Sequence, residues 1–405
     1  MKIIAINSSN IGSTGKIMKA IGETARKKGY EYYTSCPRGR SMNDDGDPYH
    51  IFFGSIISRN IHIILGKITG LSGFFSVVDT IRFIKKISSL QPDIIHIHNL
   101  HESYINIPLL FRYIKKNKIK VVWTLHDCWA FTGRCPHFEG LNCTKWKEGC
   151  SHCPYPLKEY PTALYDTSRF MWKVKKSIFT GIEHAVIVTP SEWLNRIVKE
   201  SFLNSYKVKT INNGIDISIF HPMESNFRDR YNIESEKKII LGVASTWTRK
   251  KGIDVFILLS KMLKNDYKVV LVGTNSTIDE LLPGSILSIH RTESQTALAE
   301  IYSAADVFVN PTREDTFPTT NIEALACGTP VVTFNVGGSP EVIDNDCGMV
   351  VEVEDIDGLL NDIYVICEGN NISSRLCVEK AHRYNKYDKF NDYIINYDSL
   401  MDYRG

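Results

Sequence analysis

The sequence predicts an α/β protein of two domains, each built on a parallel sheet covered by helices. Three observations carry this. Short apolar runs alternate with helix-patterned stretches along the whole chain, as in sheets whose crossovers are helices. The length of 405 residues exceeds what one hydrophobic core usually serves. Between Asn310 and Glu341 a strand-to-helix turn carries two carboxylates, at the place where α/β sheets bind ligands.

The strand candidates of the first half are Ile3–Ile6, Asp93–Ile97, Val121–Leu125 and Ala185–Val188. Those of the second half are Ile239–Val243, Val269–Val272, Val307–Val309 and Val331–Phe334. Each is a short apolar run of the kind a doubly covered strand shows. The domain boundary is expected near Ile211–Pro222, ahead of a charged stretch that ends at Lys238. The turn region opens on the strand candidate Val307–Val309, breaks at Pro311 and turns again at Phe317-Pro318. A helix pattern follows over Asn321–Cys327, closed by Gly328 and Pro330.

Composition excludes several classes. The formal charge of +3 is the small difference between 48 basic and 45 acidic residues, which argues against nucleic acid as a partner. The opening MKIIAINSS is a short strand, too brief to be a signal peptide. No apolar run reaches the about 18 residues of a membrane-spanning helix. Ten cysteines without a secretory signal point to a reducing, cytoplasmic setting.

The string Asn310–Glu341 resembles the C-terminal signature of retaining glycosyltransferases of family four, which have the GT-B fold. That signature is an acidic residue, seven others, then Glu-Ala-x-Ala-x-Gly-x-Pro-Val; Asp315 and Glu323 have this spacing. Family members usually have Glu where this chain has Asp315, and Glu314 lies one residue earlier. The resemblance implies two Rossmann-like domains facing a cleft. The segment Ile211–Pro222 is similar to the family's inter-domain Pro-Asn-Gly-x-Asp, with Asn212 for Pro. The first, acceptor-side domain is then expected over 1–215, with the aromatic-rich tail 386–405 returning to it. The nucleotide-sugar-binding domain is expected over 216–385.

The same resemblance assigns site residues. Glu323 is expected on the ribose hydroxyls, Asp315 or Glu314 on the sugar, and Phe317 in the same donor-binding turn. In GVASTWTRKKG the family has Arg, then Lys five residues on, then Gly; Lys251-Gly252 matches, and Thr246 stands at the Arg position. Arg249 or Lys250 is expected to supply the missing charge, because charge builds on a leaving diphosphate. Gly273 ends VVLVG, where the family approaches the nucleobase. In the first loop, Gly12 and Gly15 let backbone N–H groups approach an anion at a helix N-terminus. That loop is neither a P-loop, since Asn10 and Ile17 break the pattern, nor a dinucleotide G-x-G-x-x-G. His96 and His98 share one side of a strand, and His126-Asp127 ends the next. His126 takes the role of the family's donor-sugar histidine.

Two regions lie outside that pattern. Cys135, Cys143, Cys150 and Cys153 crowd one insert, with chelating spacing in Cys150-x-x-Cys153. Free buried cysteines are one reading and a structural zinc the other; four thiolates leave no open position for catalysis. Residues 51–87 are apolar and punctuated by Arg59, Lys67, Arg82, Lys85 and Lys86. They form either core helices or a surface that docks on an anionic membrane.

HDCWAFTGRC, YSAADVFVNPT and TTNIEALACGTPVV are most similar to bacterial capsular, exopolysaccharide or colanic-acid-type glycosyltransferases. The implied activity is transfer from a UDP- or GDP-sugar to a lipid-linked glycan, at the inner face of the plasma membrane. No cofactor is expected for catalysis, since the basic turn can carry the diphosphate's charge. A GT-B-fold nucleotide-sugar epimerase and a non-catalytic sugar-binding subunit are the alternatives.

Overall fold

A computed structural model describes residues 1–39, 42, 44, 46–159, 161–369 and 372–402. It divides into two compact units, Met1–Asn212 with Tyr387–Gly405, and Asn213–Lys386. The last three residues of the expected tail, 403–405, lie outside the described ones.

The first unit holds strands β1 (Lys2–Ile6), β2 (Glu31–Pro37), β3 (His50–Phe53), β4 (Ile94–Ile97), β5 (Lys120–Thr124), β6 (Ala185–Thr189) and β7 (Lys207–Thr210). All pair in parallel, in the order β3-β2-β1-β4-β5-β6-β7. Its helices are α1 (Gly12–Lys27), α2 (Ile56–Thr69), α3 (Val77–Leu90), α4 (Ile107–Lys116), α5 (Ser168–Phe179) and α6 (Glu192–Glu200). A parallel strand needs a crossover, and helices supply it on both faces.

The second unit repeats the plan with β8 (Lys238–Val243), β9 (Tyr267–Val272), β10 (Leu287–Ile289), β11 (Val307–Asn310), β12 (Val331–Phe334) and β13 (Gly348–Val351). The order is β10-β9-β8-β11-β12-β13, again parallel throughout. Its helices are α7 (Phe227–Arg230), α8 (Ile253–Met262), α9 (Ser276–Asp279), α10 (Gln295–Ala304), α11 (Thr319–Ala326), α12 (Ile356–Glu368) and α13 (Ser374–His382). The expected α/β class with two parallel sheets is what the chain adopts. Strand order reverses between β1 and β4 in one sheet and between β8 and β11 in the other. These reversals open a crevice at the strands' carboxyl ends.

Alternate residues along each central strand feed two cores. In the first unit Ile4, Ile6, Ile95 and Trp123 join α3, α4 and α5 on one face. Ile3, Ala5, Ile94 and Val122 face α1 and the final helix, α14 (Lys386–Asp402), on the other. From α14, Phe390, Tyr393, Ile394, Tyr397 and Leu400 are buried there. Polar ties fix the helix as well. The Tyr397 hydroxyl lies 2.6 Å from His96 Nδ1, and Tyr30 donates to Asp398 at 2.6 Å. Lys120 donates to the carbonyls of Leu400 and Met401 at 2.8 and 3.1 Å.

Truncating a buried aromatic removes its transfer free energy and leaves a cavity, about 3–5 kcal/mol together. Phe390→Ala should therefore lower the urea stability of the first unit by about that amount. A shift below about 1 kcal/mol would show that α14 contributes little to this core.

Candidate functional site

In the second unit the loops after β8 and β11 meet at the reversal point. The loop after β8 ends in a short 3-10 turn, Arg249–Lys251, which stops at Gly252 in a left-handed conformation, φ 77°. A side chain at Gly252 would fall 2.5 Å from Pro311 Cγ, so only glycine lets the loops approach. Arg313 N–H donates to the Lys250 carbonyl at 2.8 Å. Two ion pairs then run in register: Lys250 Nζ lies 3.0 Å from Glu314 Oε2, and Lys251 Nζ 2.9 Å from Asp315 Oδ2. Each pair is only partly shielded from water.

Asp315 is fixed from three sides. Its Oδ1 accepts the Phe317 N–H at 3.1 Å, and its carbonyl accepts the Gly338 N–H at 3.3 Å. A Cβ on Gly337, φ 56°, would sit 1.7 Å from that carbonyl oxygen. Phe317 was expected to bind the donor. Its ring is instead buried in the core, 5.8 Å from the Tyr384 ring, so it positions Asp315 through its backbone. Glu323 is half-buried in the second turn of α11 and not in its first, and accepts from the Tyr302 hydroxyl at 3.3 Å.

Arg249 is largely exposed, its Nε 3.6 Å from Asp254. Thr246 is exposed, with its hydroxyl on the Ser245 carbonyl. Gly273, φ 88°, ends β9 where a Cβ would lie 1.7 Å from the Ala244 carbonyl oxygen. The glycine thus seats one loop against another.

Sequence reasoning missed Arg313. Its guanidinium forks onto Asp254 at 2.9 and 3.1 Å, reaches Glu354 at 2.9 Å, and donates to the Arg249 carbonyl. It ties the basic turn, α8 and the end of β13 into one frame. An arginine directly ahead of two acids was the available signal.

In the first unit the loops after β1, β4 and β5 converge in the same way. Gly12, φ 71°, opens α1, whose N-terminus carries no side-chain cap. A Cβ on Gly15 would fall 2.5 Å from the Asn10 backbone. Buried Asn7 organises the loop: its Oδ1 accepts from Ser8 N–H at 2.9 Å and Asn99 N–H at 3.3 Å.

His126 Nε2 is hydrogen-bonded to His98 Nδ1 at 3.0 Å, the rings stacked at 5.3 Å. Burial pushes His126 down to about 4, against the opposing pull of Asp127. Burial holds His98 well below its ordinary value and His96 at about 3. His96 is a core residue, bound to Tyr397 and to Thr124 at 2.8 Å. His101 differs. Burial lowers it, but Asp127 at 2.7 Å raises it further, so its net shift is upward. Asp127 is held at about 2: burial raises it, and His101, His137 and the Trp129 N–H outweigh that. Buried Lys175 anchors the following loop through the carbonyls of Trp129 and Thr132, at 2.6 and 3.0 Å.

All ten cysteines are free thiols. Cys135 and Cys150 are buried in the first unit's core, with Cys143 and Cys153 packed against it. The Cys135 thiol donates to Cys153, which lowers the Cys153 thiol below its ordinary value. Cys150 accepts the Gly133 N–H at 3.1 Å. Among the described residues no group of three or more His, Cys, Asp or Glu is placed to hold a metal ion.

Two units, each with one parallel sheet, helices on both faces and loops gathered where strand order reverses, define a GT-B architecture. Residues 17–219 match Glycosyltransferase Family 4, and residues 237–368 match Glycosyl transferases group 1. The chain belongs to glycosyltransferase family 4.

WcaC of Escherichia coli (strain K12), described as a colanic acid biosynthesis glycosyl transferase, is 27% identical over 276 residues. That match spans 65% of this chain and 65% of WcaC. An uncharacterised 41.2 kDa protein from the cps region of Klebsiella pneumoniae is 22% identical, covering 82% of this chain and 85% of its own.

Solved structures share the fold. Sucrose-phosphate synthase from Thermosynechococcus elongatus superposes with a TM-score of 0.72 at 17% identity, over 99% of both chains. Anabaena HepE, solved in complex with UDP, gives 0.69 at 12% identity, over 98% of this chain and 100% of its own.

Gly337→Ala should push the Asp315 loop out of place while the protein stays folded. A displacement near 1 Å can cost about a hundredfold, so kcat/KM should fall by that order. Unchanged kinetics would mean that the loop absorbs the methyl group.

The histidines give a pH prediction. His96, His98 and His126 bind protons more weakly folded than unfolded, so they withdraw stability as pH falls below about 6.5. His101 acts oppositely, its contribution fading as pH rises through its folded value. His62, lowered to about 4 by burial, acts with the three. Four against one, the urea midpoint should drop between pH 7 and pH 5. A midpoint that rises over this range would overturn the assignment.

Proposed function

We propose that the protein moves one sugar from a UDP- or GDP-sugar to a lipid-linked glycan, with retention, in cell-surface polysaccharide synthesis. The observation that carries this reading is the interlock of Lys250 and Lys251 with Glu314 and Asp315 at the second sheet's reversal point. Two cations and two carboxylates there suit a donor that is anionic at one end and polyhydroxylated at the other. Lys251, Lys250 and Arg249 would receive the diphosphate, Asp315 or Glu314 the sugar hydroxyls, and Glu323 the ribose. A carboxylate accepts two O–H bonds at once, which suits a vicinal diol. HepE, which shares the fold, was solved in complex with UDP, and this supports a nucleotide-sugar donor.

In the proposed step the bond between the anomeric carbon and the diphosphate oxygen breaks. The acceptor's hydroxyl oxygen bonds to that carbon on the same face, and its proton passes to the leaving diphosphate. Negative charge grows on the leaving oxygen, and the lysines offset it without a divalent cation. His126, neutral at physiological pH, would meet a sugar hydroxyl as an uncharged partner.

The acceptor half is supported by α2 and the start of α3. Among the described residues no helix is long and apolar enough to cross a membrane. Yet Ile56, Ile57, Ile61, Ile64, Ile68, Val77, Val78 and Ile81 are all exposed. Lys67, Arg82, Lys85 and Lys86 are exposed beside them. Apolar and basic groups together suit peripheral docking on the anionic inner face of the plasma membrane.

Free nucleotide release from a panel of nucleotide sugars tests the reading. Release that rises with a lipid-linked acceptor is expected. Release without acceptor, giving an altered sugar, would instead mark an epimerase, and no turnover a binding subunit. Lys251→Ala should cost about a hundredfold in kcat, or on the order of 3 kcal/mol, with a smaller change in KM. Glu323→Gln should weaken donor binding as well as turnover; wild-type kcat/KM in that variant would refute its assignment.

A further inference from the structure

We infer that His98 is a positioning residue for His126: it donates a hydrogen bond from Nδ1 to His126 Nε2, and so keeps the His126 proton on Nδ1. His126 then meets a sugar oxygen as an N–H donor. This deepens the sugar-facing role proposed for His126 and rests on it.

The fold brings the two rings together. His98 directly follows β4 and His126 lies just beyond β5, on neighbouring strands of the first sheet. The His98 backbone N–H donates to the Ile6 carbonyl at 2.9 Å, so β1 sets its place. His98 is buried, whereas His126 is half-buried. Nδ1 of His98 and Nε2 of His126 lie 3.0 Å apart, with the ring planes 12° apart. That alignment lets the N–H of one ring point along the lone pair of the other.

Burial keeps both rings neutral: it holds His98 well below its ordinary value and His126 at about 4. A neutral imidazole has one N–H and one lone pair, so the bond allows two arrangements. His98 Nε2 decides between them. That atom is buried with no hydrogen-bond partner among the described residues. The neighbouring His96 ring does not serve it. His96 Nε2 is bonded to Thr124, and its Nδ1 to the hydroxyls of Tyr397 and Tyr32. If His126 donated, the His98 proton would sit on Nε2, a buried N–H with no acceptor. If His98 donates, Nε2 carries only an unfilled lone pair. Buried N–H groups without an acceptor are rarer than acceptors short of a donor, and an unmade donor is costly.

The acid beside His126 in the chain is held elsewhere. Asp127 Oδ2 is bonded to His101 at 2.7 Å, and Oδ1 accepts the Trp129 N–H at 2.8 Å. The bond that sets the His126 proton comes instead from a residue 28 positions earlier. With Nε2 engaged, a substrate would be met through Nδ1. Held in one tautomer, the ring meets a sugar oxygen already in the form that donates.

The test is tautomer-sensitive NMR on the full chain at neutral pH, with its histidines labelled with a heavy nitrogen isotope. Each ring nitrogen reports whether it carries a proton or a lone pair. His98→Phe and His126→Asn each remove one set of signals and so assign them. Both His126 and His98 should show a protonated Nδ1 and a bare Nε2. His98→Phe keeps an aromatic ring but loses the donor. It should let His126 sample both tautomers and lower kcat/KM by about three- to tenfold. His98→Asn places an amide N–H near the position of Nδ1, and should restore the His126 pattern and most of kcat/KM. A merely structural role would rank the two variants the other way, since Asn leaves the larger gap. Should His98→Phe not fold, the wild-type spectrum and the His126→Asn assignment still decide.

A proton on His126 Nε2 would overturn the inference, as would His98→Asn lowering kcat/KM as much as His98→Phe. Nucleotide release from the donor panel is measured in parallel on the wild-type protein. No release would sink the transferase reading, whereas the spectrum judges the His98–His126 bond on its own. Release that His126→Asn leaves unchanged would sink the sugar-facing role of His126.

Discussion

A parallel sheet covered on both faces can present little but its strand ends to a ligand. In this chain both sheets are of that kind, and every strand of a sheet runs the same way. All carboxyl ends therefore gather on one edge, where loops must carry the chemistry. The placement of Asp315 and Lys251 follows from this constraint, as does that of His126 and the Gly12 loop. Strand order reverses beside each group, so adjacent loops part there and leave room between them.

Loops freed in this way need other restraints. The second unit supplies them with charge. Arg313 bridges three segments, and the paired lysines and acids hold the β8 and β11 loops in register. These pairs are partly open to solvent, so each is worth little as stabilisation. Their value lies in order. On the proposed reading, a donor entering there would exchange one set of ion pairs for another between groups already aligned. The first unit leans on hydrogen bonds instead: Asn7, stacked neutral imidazoles, and Lys175 on backbone carbonyls, with one close pair between His101 and Asp127.

The central strands were legible in the sequence because burial on both faces writes them as unbroken apolar runs. The outer ones were not. Lys207–Thr210 reads KVKT and is half-exposed throughout, and Leu287–Ile289 has only three residues. At the candidate site, the family string led to Asp315, Glu323 and Lys251. It could not show that Lys251 and Asp315 pair, since 64 residues separate them. Phe317 was placed in the donor-binding turn by the family string alone, which does not show that its ring is buried in the core. Glu102 and Ser103, which follow β4, both have positive φ, 85° and 57°, and left no sequence signal, since neither residue type favours it. The cysteine spacing suggested chelation, and the fold places two of those thiols in the hydrophobic core.

The helix α14 follows the second unit in the chain yet is buried in the first. During synthesis, β1 to β7 emerge with one face of their sheet lacking Phe390, Tyr393 and Tyr397. The second unit is contiguous and can close as soon as it leaves the ribosome; the first must wait with apolar surface uncovered. The unit made first is thus the one completed last. Its exposure to chaperones and to aggregation is set by the time needed to translate the 174 residues of Asn213–Lys386 that lie between.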